Sequence, residues 1–248
     1  MHNFFVNENQ KQGDCFYIEG NDVNHIKNVL RMKKGETFLV SCNSVSSLCE
    51  IESLEETTVV ARILEENYKN TDLPIKIMLF QGLPKGDKME FIIQKAVELG
   101  VDEIIPTEMS RCVVKFDNKK KISKVARWQA IAESAAKQSK RSFVPKVSEV
   151  QSFSQMLEKA GKADVFILPY ENKNTMAATK EALLKIKKGS TVAILIGTEG
   201  GFDEKEVKLA AEKGAQVVSL GKRILRTETA AMAAVAMCML YCEMEVEE

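Results

Sequence analysis

Two glutamates, two arginines and a group of glycines sit at two strand ends near the C-terminus, spaced to surround one small ligand. Gly197-Thr198-Glu199-Gly200-Gly201-Phe202 follows the β-branched, apolar run Thr191–Ile196. Leu220-Gly221-Lys222-Arg223-Ile224-Leu225-Arg226-Thr227-Glu228-Thr229-Ala230 follows a second such run, 216–220. In open α/β sheets, ligands gather outside the carboxyl ends of strands. Gly197, Gly200 and Gly201 allow positive φ and a close backbone approach. No phosphate loop and no Gly-x-Gly-x-x-Gly fingerprint occurs, and Glu199 would repel a pyrophosphate. The pattern suits a neutral or cationic ligand without phosphate. S-adenosylmethionine, an adenosine carrying a zwitterion and a sulfonium, has that chemistry. A plain strand-to-helix turn also accounts for Gly200-Gly201, with Asp203 as N-cap and Glu206 closing a capping box. The second loop carries more polar groups than a turn needs.

The elements that must hold these loops are legible upstream. From about residue 73, runs of period 2 and period 3.6 alternate. Strands are expected at 74–82, 103–107, 164–169, 191–196 and 216–220. Helices are expected at 87–99, 121–139, 153–159, 175–187, 203–213 and 227–244. Asp87 and Glu90 read as a capping box for the first of these helices and Gly100 as its stop. Such alternation gives a parallel sheet with helices on both faces. The last helix is apolar on most of its circumference, which asks for burial in the fold and at a subunit interface. Residues 1–70 read as a small β-rich domain, with strands at 4–6, 15–18, 37–41, 48–53 and 57–64. One helix, 22–31, is expected among them, with Asp22 as its cap. A β barrel with one helix is the natural closure. The polar stretch 67–72 is the expected linker.

The paired motifs Gly-x-Glu-Gly-Gly and Leu-Gly-x-Arg-Ile-Leu-Arg-x-Glu-Thr-Ala resemble the signature of the RsmE family. The match continues through Lys85-Gly86-Asp87-Lys88-Met89-Glu90, Lys95-Ala96-Val97-Glu98-Leu99-Gly100-Val101, Ile105-Pro106, Arg127-Trp128, Glu133, Gln138-Ser139 and Arg141. It reaches His25, Val29-Leu30-Arg31 and Gly35 in the N-terminal domain. The resemblance implies an α/β, knotted SPOUT-type methyltransferase domain at 73–248, preceded by a PUA-like RNA-binding β-barrel at 1–70. It implies S-adenosylmethionine-dependent N3-methylation of a uridine in 16S ribosomal RNA of the small subunit, and a homodimer. Chain-topology rules disfavour knots, so the trefoil knot is an expectation of the resemblance alone. Two positions depart from the family pattern. Thr198 stands where the first loop has proline, which is expected to soften that loop. Asn3 stands where the N-terminus has arginine, which removes one expected RNA contact.

Composition is that of an ordinary folded protein, with 45% hydrophobic and 28% charged residues among 248. No apolar run is long enough to span a membrane and no signal-peptide pattern opens the chain, so the cytoplasm is expected. Six cysteines without a Cys-x-x-Cys pair, and only two histidines, speak against a metal site. Net charge is zero, but eleven basic residues fall between Arg111 and Lys146 against two acids, Asp117 and Glu133. The compensating acids lie elsewhere, including the tail Glu243, Glu245, Glu247 and Glu248. Such asymmetry suits a face that follows phosphates, although a solvated lysine-rich helix reads the same way. Arg31, Lys88, Arg111, Arg127 and Arg141 are the candidate RNA contacts.

On this reading Leu168-Pro169-Tyr170-Glu171, Gly197 to Gly201 and Leu220 to Thr229 enclose the cofactor. The named contacts are Leu168, Pro169, Tyr170, Gly197, Glu199, Gly200, Gly201, Leu220, Gly221, Ile224, Leu225, Arg226 and Thr229. Leu225 suits the core as well as a ligand wall. Arg226 is the candidate for stabilising the imide anion of the target base. Glu199 or Glu228 would take its proton or orient the base. Loop structure and helix-end charge complementarity explain the two glutamates as well. A ribose 2′-O-methyltransferase of the same superfamily, and a non-catalytic RNA-binding ribosome-assembly factor, remain open alternatives.

Overall fold

The structure is a computed structural model that describes residues 1–171 and 176–245. Thr175, expected to begin a helix, and the acids Glu247 and Glu248 lie outside the described residues. By contacts the chain divides into two compact units, residues 1–72 with 136–144, and residues 73–135 with 145–248. The segment 136–144, which the sequence reading assigns to the second domain, is thus counted with the first.

The first unit holds β1 (Asn3–Phe5), β2 (Lys11–Gln12), β3 (Cys15–Glu19), β4 (Thr37–Cys42), β5 (Val45–Leu54) and β6 (Thr58–Glu65). Their sheet order is β1-β4-β5-β6-β3-β2, antiparallel except for the β1–β4 pair. Alternate residues of each long strand face one core. Phe16 and Ile18, Phe38 and Val40, Cys49 and Ile51, and Val59 and Ala61 are all buried there with Phe4 and Ile26. Among the described residues no ladder joins β1 to β2, so this barrel is open along that edge. The expected helix is a single α-turn, α1 (Asn21–Asn24), running into a π-helical stretch, His25–Val29. Asp22 does not cap it. Gly20, at φ 70°, holds the N-cap, and Asp22 sits in the first turn with its Oδ1 3.1 Å from Lys137 Nζ.

The second unit contains β7 (Lys76–Gly82), α2 (Lys88–Glu98), β8 (Glu103–Glu108), α3 (Asn118–Ser139), whose end belongs to the first unit, β9 (Lys146–Val147) and β10 (Gln151–Ser152). It continues through α4 (Phe153–Ala160), β11 (Val165–Pro169), α5 (Met176–Leu183), β12 (Thr191–Ile196), α6 (Glu204–Glu212), β13 (Gln216–Val218) and α7 (Thr227–Glu245). The sheet runs β10-β8-β7-β12-β11-β13, every pair parallel, with β9 also on β8. All these strands therefore end on one edge. A parallel sheet needs cover on both faces. One face packs Phe80, Ile105, Phe166 and Leu195 on α4 and α6 through Met156, Leu157 and Ala210. On the other, α7 packs against α2, β7 and β12. From β13, beside β11, the chain returns to place α7 there.

The expected Asp87–Glu90 capping box does not form. Asp87 precedes α2 without a side-chain cap bond, and Glu90 accepts instead from Arg127 at 2.7 Å. The box at α6 does form: Asp203 accepts from Lys205 N, and Glu206 accepts from Asp203 N at 3.0 Å. The last helix is not buried all round. Ala231, Ala234, Val235, Cys238 and Cys242 are inside, while Leu240 and Met244 are 49% and 66% exposed.

Candidate functional site

The site lies where β7, β11, β12 and β13 end. Sheet order makes β12 the neighbour of both β7 and β11, so the loops after them converge on a cavity of about 590 Å³, a size ordinary for small-ligand sites. Gly197, Glu199, Gly200 and Gly201 line it from the first glycine loop. Leu220, Gly221, Ile224, Leu225 and Arg226 line it from the second, and Pro169 and Tyr170 from the end of β11.

Two sequence-expected contacts fall elsewhere. Leu168 is fully buried in the core beneath the site, because strand alternation turns it away from the cavity. Thr229 is exposed on the first turn of α7 and is not part of the wall. Ser219, Arg223 and Phe202 line the cavity although the sequence reading left them out of the contact set. Ser219 and Arg223 flank residues already chosen, so contiguity was the available signal.

The first loop is stapled rather than soft. Thr198 Oγ1 donates to Arg111 O at 3.3 Å and accepts from Gly200 N at 3.3 Å. Gly201 N donates to Thr198 O at 2.9 Å. Arg111 Nη1 adds a bond to Gly200 O at 2.9 Å. A hydroxyl thus supplies the restraint that proline supplies through its ring. Glu206, buried at the start of α6, accepts from Ser110 N at 2.7 Å and ties the segment after β8 to the same loop. Glycine fits closely at 197: a Cβ there would meet Gly201 C and the Phe202 ring at 3.2 Å, and the loop would have to give.

Charge is arranged around one ammonium. Lys88 Nζ lies 3.1 Å from Glu199 Oε1 and 3.4 Å from Glu228 Oε2. Glu199 also accepts from Lys85 N at 3.0 Å. Burial, the largest single influence, pushes the Glu199 carboxyl up, but these donors and its own amide together hold it below the usual 4.5. The guanidiniums of Arg223 and Arg226 make no hydrogen bond or ion pair among the described residues.

The candidate RNA contacts fare differently. Arg31 is exposed at φ 56° in the first unit. Arg111 is exposed and bonded to Gly200 O. Arg127 is exposed but paired with Glu90. Lys88 is engaged by Glu199 and Glu228. Arg141 is corrected by the structure: it is buried, its Nε 2.5 Å from Asp72 Oδ1 and its guanidinium over Phe143, so it faces no solvent. Asn3 is likewise buried, donating to Arg141 O at 2.9 Å and accepting from Ser41.

Comparison with known proteins agrees with this architecture. The family model described as an RNA methyltransferase domain matches residues 71–239. That described as an RNA methyltransferase PUA domain matches residues 18–64. The fold and site therefore define an RNA methyltransferase with a PUA domain. Ribosomal RNA small subunit methyltransferase E of Bacillus subtilis (strain 168) is 39% identical over 243 residues, 95% of each chain. The crystal structure of a ribosomal RNA small subunit methyltransferase E from Neisseria gonorrhoeae bound to S-adenosyl methionine superposes with a TM-score of 0.82 at 34% identity, covering 95% of each chain. A crystal structure described only as that of a hypothetical protein reaches 0.90 at 37% identity, over 98% of this chain and 99% of that one. The chain belongs to the ribosomal RNA small subunit methyltransferase E family.

Proposed function

We propose that this protein transfers a methyl group from S-adenosylmethionine to N3 of a uridine in 16S ribosomal RNA of the small subunit, acting as a cytoplasmic homodimer. The observation that carries the reading is the cavity at the strand ends. Backbone, glycine and apolar side chains make much of its wall, with the unpaired guanidiniums of Arg223 and Arg226 and the Lys88-bound carboxylate of Glu199 set among them.

The residues present fit the cofactor. Glu199 disfavours a phosphate, and the glycine loop beside it packs closely on itself, a Cβ at Gly197 falling 3.2 Å from Gly201 C. Ile224 is apolar yet 79% exposed at the wall, a surface that an adenine ring covers. Among the described residues the amides of Leu220, Ile224 and Leu225 donate to nothing, which leaves them for a base edge. When bound, the cofactor supplies an electrophilic methyl group on a sulfonium. The chain's own task is to orient the imide nitrogen and manage its charge. Arg226 lines the cavity with an unpaired guanidinium, which suits it to stabilise the carbonyl oxygens of the deprotonated base, and a carboxylate is proposed to receive the proton. The target must be unpaired or flipped. Arg31, Arg111 and Arg127 are the exposed cations proposed to hold phosphates.

The half-exposed apolar face of α7, with Leu240 and Met244, supports subunit pairing. The return of the chain from β13 to α7 supports the knot that the resemblance implies.

Methyl transfer from labelled cofactor to purified small subunits, followed by nucleoside analysis, tests the function. 3-Methyluridine is the expected product. A 2′-O-methyl nucleoside, or no label, overturns the reading.

A further inference from the structure

Residues 109–112, just after β8, are built into the glycine loop. Ser110 N donates to Glu206 at 2.7 Å, Arg111 Nη1 donates to Gly200 O at 2.9 Å, and Arg111 O accepts from Thr198 Oγ1 at 3.3 Å. Close packing follows the same line. A Cβ on Gly200 would stand 3.3 Å from Arg111 Cβ, and one on Gly82 would stand 2.8 Å from Met109 Sδ and 3.0 Å from Thr198 Cγ2. The end of β7, this segment and the loop after β12 therefore meet at two glycines. Of residues 109–112, Arg111 lines the cavity. It touches the loop through its carbonyl and its side chain, and its guanidinium is exposed. One N–H is spent on Gly200 O, and the other N–H groups of the fork bond nothing among the described residues. The acids beside the segment are engaged elsewhere: Glu108 pairs with Lys121 at 2.7 Å, and Glu206 accepts from Ser110 N and Asp203 N. Downstream the chain runs directly into the basic stretch, with Lys115, Lys119, Lys120 and Arg127 all exposed.

We infer that Arg111 is a positioning residue that couples the two ligands: one edge of its guanidinium holds the glycine loop in the form that encloses the cofactor, and its open edge takes a phosphate of the RNA. The inference deepens the proposed methyl transfer to RNA and rests on it. A guanidinium carries its donors in a planar fork, so two edges can serve two acceptors at once. Gly200 and Gly201 leave the loop many conformations of its own, with Gly201 at φ 69°; the bond from Arg111 selects among them. A phosphate on the open edge fixes the guanidinium, and the fixed guanidinium holds Gly200 O. A loop already closed on the cofactor presents the same guanidinium in place for a phosphate. Each ligand thus favours the arrangement that the other needs, and the coupling is reciprocal. A lysine at this position keeps the charge but has no fork with which to hold carbonyl and phosphate together.

The test is equilibrium dialysis of labelled S-adenosylhomocysteine, the demethylated product, against the full chain with and without saturating small subunits. The salt dependence of subunit binding is measured alongside. In wild type the subunits should tighten S-adenosylhomocysteine by about fivefold or more. Arg111→Met should bring that ratio to about one and lower the salt slope of subunit binding by about one. Arg111→Lys should keep the salt slope and still lose most of the coupling. An unchanged ratio in Arg111→Met with a lowered slope makes Arg111 a phosphate contact only. A lost ratio with an unchanged slope makes it a staple of the loop only. Either result overturns the inference, as does full coupling in Arg111→Lys or a wild type without any. A wild type that binds no S-adenosylhomocysteine, or no subunits, overturns the methyl-transfer reading instead, and is distinguished by that.

Discussion

Gln81 and Thr227, 146 residues apart in sequence, meet at 2.9 Å, with Gln81 Nε2 donating to Thr227 Oγ1. Thr227 Oγ1 passes the chain on, donating to Gly197 O at 2.6 Å. All three residues are buried. The end of β7, the start of the glycine loop and the N-terminus of α7 are thereby locked together directly under the cavity. A buried polar chain therefore joins the same elements that apolar packing brings together, and its members are costly to orphan.

Thr227→Val keeps the volume but leaves Gln81 Nε2 short of one acceptor and Gly197 O with only the 3.5 Å approach of that same Nε2. Destabilisation of about 1–3 kcal/mol is expected from the unpaired buried groups. Urea unfolding checks it, and Thr227→Ser should recover most of the loss. A Val variant as stable as wild type would show the chain to be energetically idle.

Gly197→Ala places a methyl 3.2 Å from Gly201 C, a backbone atom, and as near the Phe202 ring. The backbone has little freedom to give way, because Thr198 and Arg111 pin the same loop. The loop must shift at the cavity wall. A fall in cofactor affinity of about tenfold, or 1.4 kcal/mol, is expected. Titration calorimetry reads it.

Features set by neighbours in sequence were legible without coordinates. The strand Thr191–Ile196 has the bounds its β-branched run implies, and Asp203 and Glu206 close their cap three residues apart. Features set by distant partners were not. Glu90 had the spacing for a cap, but Arg127 lies within reach and an ion pair took it. Arg141 read as a surface cation because nothing nearby in sequence announces Asp72 as its partner, 69 residues away. Lys88 entered the site because β7 lies beside β12, and the order of strands in a parallel sheet is a property of topology, not of composition. Thr198 was read from what it lacks; its hydroxyl mattered only once Arg111 O was placed beside it.

Acid stability should depend on Glu103. Burial, its largest influence, pushes this carboxyl up, but Lys159, Ser148 and Lys146 overcome it and hold it below 4.5. Lys159 Nζ and Ser148 Oγ both stand 2.5 Å from Oε1. A carboxyl depressed in the folded state contributes stability above its unfolded value, and that contribution drains away as pH falls through the folded value. Glu103→Gln should therefore destabilise at neutral pH, and its gap to wild type should narrow as pH falls through and below the ordinary carboxyl range. Melting temperatures measured from pH 3 to pH 7 give the comparison; a constant gap across that range would count against it.

The thiols should be inert in the folded state. Burial pushes Cys49 and Cys238 up to about 12 and Cys242 to about 11, so little thiolate exists at neutral pH. Alkylation with iodoacetamide at pH 7 should spare all three and proceed only on unfolding. Rapid native labelling of Cys238 or Cys242 would mean that α7 opens locally.

Arg226 carries the heaviest chemical assignment and the clearest test. It lines the cavity, it precedes α7 by one residue, and its guanidinium has no partner among the described residues. Arg111 and Arg141, by contrast, are held by a carbonyl bond and an ion pair. A guanidinium that waits for charge to develop on the base helps the transition state more than the bound cofactor. Arg226→Ala should then lose turnover by about 10²–10³-fold while the cofactor Kd moves only a few-fold. Single-turnover transfer and calorimetry on one preparation separate the two effects. Lost cofactor binding with proportionate activity would place Arg226 in the ligand wall. Arg226→Lys, which keeps the charge but not the fork, should recover only part of the rate.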